Sequence, residues 1–123
     1  MIEKILLTAS RIASWGSLAL IAAATLSPLA LRPHLFPVHA EHFAAFAVVG
    51  VLFCLAYPRQ TFLTGAIVLG AATLFETLQL LTPDRHGRAS DLVFKLAGAM
   101  AGIVAGKLVT RQIALRRRRS LDP

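Results

Sequence analysis

The stretch Ile12–Leu31, IASWGSLALIAAATLSPLAL, contains no charged residue in twenty positions. As an α-helix rising 1.5 Å per residue it is ~30 Å long, which matches the hydrocarbon core of a bilayer. Lys4 and Arg11 precede it and Arg32-Pro33 closes it. Three more apolar segments follow, each bounded by polar punctuation. The second is apolar from Phe43 to Tyr57. Pro37, a good first-turn residue, starts its helix and carries His39, Glu41 and His42 at the membrane interface. Pro58-Arg59 ends it. The third runs Gln60–Thr82, interrupted only by Glu76 and Gln79, and Pro83 stops it. A polar connector, Asp84–Ser90 (DRHGRAS), leads to the fourth, Asp91–Val109, which holds Lys95.

The composition agrees. A chain that is 56% hydrophobic, with mean hydropathy +0.67, is neither disordered nor an ordinary soluble domain. A soluble four-helix bundle needs polar stripes at helical spacing, and these segments lack them. The formal charge of +7 suggests nucleic acid until the chain is divided. Residues 1–106 hold seven Lys/Arg against five Asp/Glu, whereas residues 107–123 hold six against one. The basicity is mostly a C-terminal tail, Arg116–Arg119, which reads as an anchor on anionic lipid, with no motif for nucleic-acid binding. Cys54 is the only cysteine, so an intrachain disulfide and a Cys-based zinc site are both excluded.

The fold expected is all-α, an integral membrane bundle of four transmembrane helices, because lipid tolerates only backbone whose hydrogen bonds are made internally. Residues 1–110 form the transmembrane domain and 111–123 a basic cytoplasmic tail. Four spans put both termini on one side. That side collects Lys4, Arg11, Arg59, Lys107, Arg111 and Arg116–Arg119, nine basic residues against Arg32, Arg85 and Arg88 opposite. The positive-inside tendency makes it the cytoplasmic side of a bacterial inner membrane. Lys4 and Arg11 before an apolar stretch with Ala22-Ala23-Ala24 also fit a signal peptide, but the stretch is long for one and has no clear processing site.

Glu76 stands six residues before the end of its segment, ~9 Å below the outer surface by helical rise. An ionisable side chain at the centre of a span costs ~2.5–3.5 kcal/mol on insertion scales, so it faces the bundle or a wet cavity. Gln79 at i+3 shares its face. On the fourth helix Gly98, Gly102 and Gly106 make two consecutive G-x-x-x-G spacings, which let a neighbouring helix approach closely. At 100° per residue, Asp91, Lys95 and the three glycines fall within ~80°. Asp91 and Lys95 form an acid-then-base i,i+4 pair that eases burial of Lys95. In the connector, Arg85 and Arg88 offer two guanidinium forks beside His86, suited to a phosphate or pyrophosphate headgroup or, equally, to pairing with Asp84, Asp91 and Glu76.

The string Glu76-x-x-Gln79-x-x-x-Pro83-x-Arg85, then Asp91, Gly98 and Gly102, resembles the VanZ-like membrane proteins. The second helix is similar too, with His42, Phe46 (commonly Tyr in the family) and Gly50 at successive fourth positions. The resemblance spans roughly 38–106. The chain departs from the family at Val38-His39, where Asp-Lys is common and Glu41 is the neighbouring acid, and at Lys95, where Asn is common. What the resemblance implies is a membrane address and a link to low-level teicoplanin resistance and envelope tolerance of lipophilic agents.

The histidines His34, His39, His42 and His86 accompany Glu41, Glu76 and Asp91, but His39 and His42 stand three apart where zinc-protease motifs need four, and interfacial solvation is a commoner fate than a mixed His/carboxylate site, so the expectation is no metal and no cofactor. The candidate ligand-binding set is His42, Glu76, Gln79, Arg85, His86, Arg88 and Asp91, all approaching the outer side. The partners expected are membrane lipid and an anionic or lipid-linked amphiphile. Binding of an envelope amphiphile leads. An enzyme on a lipid-linked substrate, with Glu76 or Asp91 as general base, is a second reading. A purely structural membrane protein is a third. A transporter needs a homo-oligomer, because one four-helix copy offers little path for alternating access.

Overall fold

A computed structural model describes residues 1–26, 38–81 and 89–122. Those residues form four helices: α1 Ile2–Leu26, α2 Val38–Ala56, α3 Thr61–Leu81 and α4 Ala89–Leu121. By length and composition α1, α3 and α4 can each cross a membrane, and α2 contributes a shorter apolar stretch, Ala40–Ala56. The all-α architecture expected from the four apolar segments is therefore the one observed, with three helices long and apolar enough to cross a membrane and α2 shorter.

Two helices differ from their expected extent. α1 begins ten residues before Ile12. Neither Gly nor Pro interrupts Ile2–Arg11, and the long stems of Lys4 and Arg11 carry their charge toward water without breaking the helix. The described helix ends at Leu26, just ahead of Ser27-Pro28, and the expected end at Leu31 lies outside the described residues. α4 continues past Val109 to Leu121, 33 residues and ~50 Å of helix, so the basic tail is one continuous rod with the span. Arg118 and Arg119 in its last turn complement the negative end of the helix dipole.

The chain turns up and down. Glu3 at the start of α1 meets Arg117 near the end of α4, Arg117 Nη1 donating to Glu3 Oε1 at 3.0 Å, so both termini lie at one end of the bundle with the Pro58-Arg59 turn. This is the terminal end. The opposite, connector end holds the start of α2, the end of α3 and the start of α4.

α2 is the innermost helix. It supplies Phe46, Val49, Phe53 and Cys54 to a core completed by Leu18, Val68, Ala72, Phe75, Ala99 and Ile103. Its apolar residues run all around, as a helix surrounded by protein and lipid requires. The tightest seam joins α2 to the parallel α4. A Cβ placed on Gly98 would collide with the Phe43 carbonyl oxygen, and one on Gly102 with that of Ala47. At Gly106 it would come within 2.5 Å of the Cys54 Cβ. Backbone thus lies on backbone for two turns, the arrangement that small residues permit in membranes. Cys54 adds a polar contact across the seam, its thiol donating to the Ile103 carbonyl at 3.4 Å.

α1 lies outside this unit. It leans on α2 through Trp15, which packs edge-on against Phe53 at 5.1 Å and donates its indole N–H to the Tyr57 hydroxyl at 3.0 Å. The Arg11 guanidinium covers the Tyr57 ring at 5.1 Å. Most of its remaining surface, including Ile5, Leu6, Ile12 and Leu20, is exposed. In hydrocarbon such a face carries no cost.

Three substitutions test this packing. Gly102→Val should lose ~3 kcal/mol or more in thermal unfolding in detergent, because backbone must move. Gly70→Ala, with open space around it, should be neutral or stabilising by up to ~1 kcal/mol. Equal loss from both would contradict the seam. Thr64 Oγ1 is fully buried and makes no hydrogen bond among the described residues. Thr64→Val, which keeps the shape and removes the orphan hydroxyl, should raise the melting temperature, corresponding to ~1 kcal/mol.

Candidate functional site

The polar residues of the connector end converge on Lys95. Its Nζ donates to Glu76 Oε2 at 2.7 Å and to Gln79 Oε1 at 3.1 Å. The lysine side chain is fully buried and that of Glu76 is 6% exposed. Each partner arrives for a local reason. Glu76 and Gln79 share a face of α3 because they are one turn apart. Lys95 lies on the glycine face of α4, so the seam that buries Gly98 and Gly102 also carries Lys95 inward.

Spacing along α4 points Lys95 to Asp91, and the bonds described for it cross to α3. The physical reason is burial: a lysine on the packing face needs acceptors inside the bundle, and Glu76 and Gln79 provide them. Asp91 is half-buried and has interactions of its own. Nothing about Lys95 alone names its partner, but the sequence did hold a signal. One carboxylate in the third span and one lysine in the fourth each need a buried counter-charge, and each is the other's nearest in depth.

His42 is buried on α2 and also has an interaction partner. The register that sets Phe43 against Gly98 and Ala47 against Gly102 places Lys95 level with Ala40. His42 is then two residues, ~3 Å, deeper. His42, Glu76, Gln79 and Asp91 of the candidate set therefore belong to one end of the bundle. Arg85, His86 and Arg88 lie outside the described residues, as does the side chain of His39. Lys95 joins the set as a residue that the motif string did not nominate.

The chemistry of this cluster is that of a held charge. Glu76 accepts from a lysine at 2.7 Å inside a low-dielectric bundle, so its carboxylate is directed at α4 and away from bulk water. Among the described residues no group of three His, Cys, Asp or Glu could hold a metal ion.

The sequence profile of the VanZ/LLP1 family matches residues 4–110, and the chain belongs to that family. No curated protein and no solved structure matches it.

Breaking the pair from one side leaves a buried charge alone. Glu76→Met or Lys95→Met should each cost ~3–5 kcal/mol in detergent unfolding, while the double substitution should recover most of it. A double-mutant cycle with coupling near zero would show that the two groups do not depend on each other.

Proposed function

We propose that this VanZ/LLP1-family protein is a multi-pass protein of the bacterial inner membrane that binds the anionic headgroup of an envelope amphiphile at the outward end of its bundle. The observation that carries the reading is the Lys95–Glu76–Gln79 cluster, a buried ion pair held five residues, ~8 Å, below the end of α3. Charged groups inside spans are rare and mark working sites more often than chance. This pair ties the end of α3 to the start of α4, the two helix ends that flank the segment carrying Arg85, His86 and Arg88.

In this reading Glu76, Gln79 and Lys95 are positioning residues that set the spacing of those helix ends. Arg85 and Arg88 hold a phosphate, pyrophosphate or carboxylate in bidentate fashion, and His42, His86 and Asp91 complete the polar surface. The orientation supports it. The basic residues cluster at the terminal end, which the positive-inside tendency makes cytoplasmic, so the connector end faces outward. Amphiphiles of the outer leaflet then meet the site, and tolerance of glycopeptides or lipophilic agents is the phenotype it predicts.

A second reading, that the polar residues only lock the helices, starts from the same closed pair. Binding of geranylgeranyl pyrophosphate to the purified protein separates the two. Arg85→Ala with Arg88→Ala should weaken it by more than ~10-fold, since a hydrogen bond to a charged group contributes ~1.5–3 kcal/mol. Unchanged affinity, together with unchanged envelope-drug tolerance in cells, would leave the structural reading. A periplasmic reporter fused after Arg119 should be silent, and activity there would invert the orientation.

A further inference from the structure

At the terminal end α1 and α4 do not pack on one another among the described residues, although both flank α2. The wedge between them is a cavity of about 930 Å3. Its walls are of two kinds. Leu7 of α1, Leu55 of α2 and Leu108 of α4 give an apolar floor. Arg59 from the α2–α3 turn, with Lys107, Arg111 and Arg117 of α4, brings four cations to the same cavity, against the single carboxylate of Glu3.

That carboxylate is already engaged, since Arg117 donates to Glu3 across the mouth of the cavity at 3.0 Å. Among the described residues no carboxylate pairs with Arg59, Lys107 or Arg111. Three cations sharing one partly apolar cleft repel one another, and an anion entering between them relieves that repulsion. A small inorganic anion would leave the leucine floor wet, so the shape and the charge together call for an amphiphile.

We propose that this cleft binds the headgroup of an anionic phospholipid from the surrounding leaflet. Lys107, Arg111 and Arg59 hold its phosphate, and the glycerol and upper acyl chains lie on Leu7, Leu55 and Leu108. The volume is of the size that takes a headgroup and the first part of its chains. Glu3 occupies one of the available guanidinium forks as an internal competitor. The site stands at the opposite end from the connector and does not rest on the outward-facing reading.

Binding of single lipids to the protein in neutral detergent, resolved by native mass spectrometry, tests it. Phosphatidylglycerol should bind at least ~10-fold more tightly than phosphatidylcholine of the same chains. Lys107→Gln with Arg111→Gln should weaken phosphatidylglycerol by roughly 25-fold, about fivefold per cation near a lipid surface. Lys4→Gln, which removes a charge at the same end but outside the cleft, should change it by less than about twofold. Glu3→Gln should tighten it about threefold by releasing Arg117, a gain that a misfolded variant cannot mimic. Weakening of about fivefold or more by Lys4→Gln, as much as one cleft cation, would overturn the proposal in favour of diffuse attraction. Loss of the headgroup preference, or displacement of the lipid by millimolar inorganic phosphate, would overturn it as well.

Discussion

The close approach of α2 and α4 is the constraint from which the rest of the bundle follows. With no side chain at Gly98 or Gly102, the two helices meet through their backbones at Phe43 and Ala47. Hydrocarbon gives no hydrophobic drive for helices to associate, so van der Waals contact of this kind has to supply much of the attraction. The contact also fixes a register. Once Gly98 lies on Phe43 and Gly102 on Ala47, the depth of every residue on α4 is set relative to α2, and Lys95 is turned inward with the glycines.

A buried lysine then dictates where α3 goes. Only a helix presenting acceptors at that depth can pack there, and Glu76 with Gln79 meets the requirement. The net stability gained from a buried pair is small or even negative when compared with a well-packed apolar substitute. What the pair does supply is specificity, because sliding α3 by a turn would strand two charges in lipid. The apolar contact between Phe46 and Phe75, with ring centroids 6.4 Å apart, accepts the register that the charges select.

Much of this was legible before any coordinates. The four apolar segments and the glycine face follow from period and composition, and the described residues carry them as four helices and a close α2–α4 seam. Two things were harder to read. The charge-free window Ile12–Leu31 hides the start of α1, because a helix carries Lys4 and Arg11 readily when their stems can reach water. The α3 partners of Lys95 are hidden from spacing along one helix, which identifies Asp91, because they arrive through tertiary packing. Of the candidate site, the residues His42, Glu76, Gln79 and Asp91 group at one end as their positions in the four segments imply. Arg85, His86 and Arg88 lie beyond the described residues, so their part stays with the proposal.

The two ends of the molecule differ in kind. At the connector end opposite charges are paired and buried among three helices. At the terminal end like charges line an open cleft. The placement of α3 depends on the first of these. Solid-state NMR of the protein in lipid bilayers, with lysine labelled at 15Nζ and glutamate at 13Cδ, measures it directly. Strong dipolar dephasing that corresponds to a Lys95 Nζ–Glu76 Cδ separation under about 4 Å, and that disappears in Glu76→Gln, is the result predicted. A Lys95 Nζ that shows no glutamate carboxyl within about 6 Å would contradict the account.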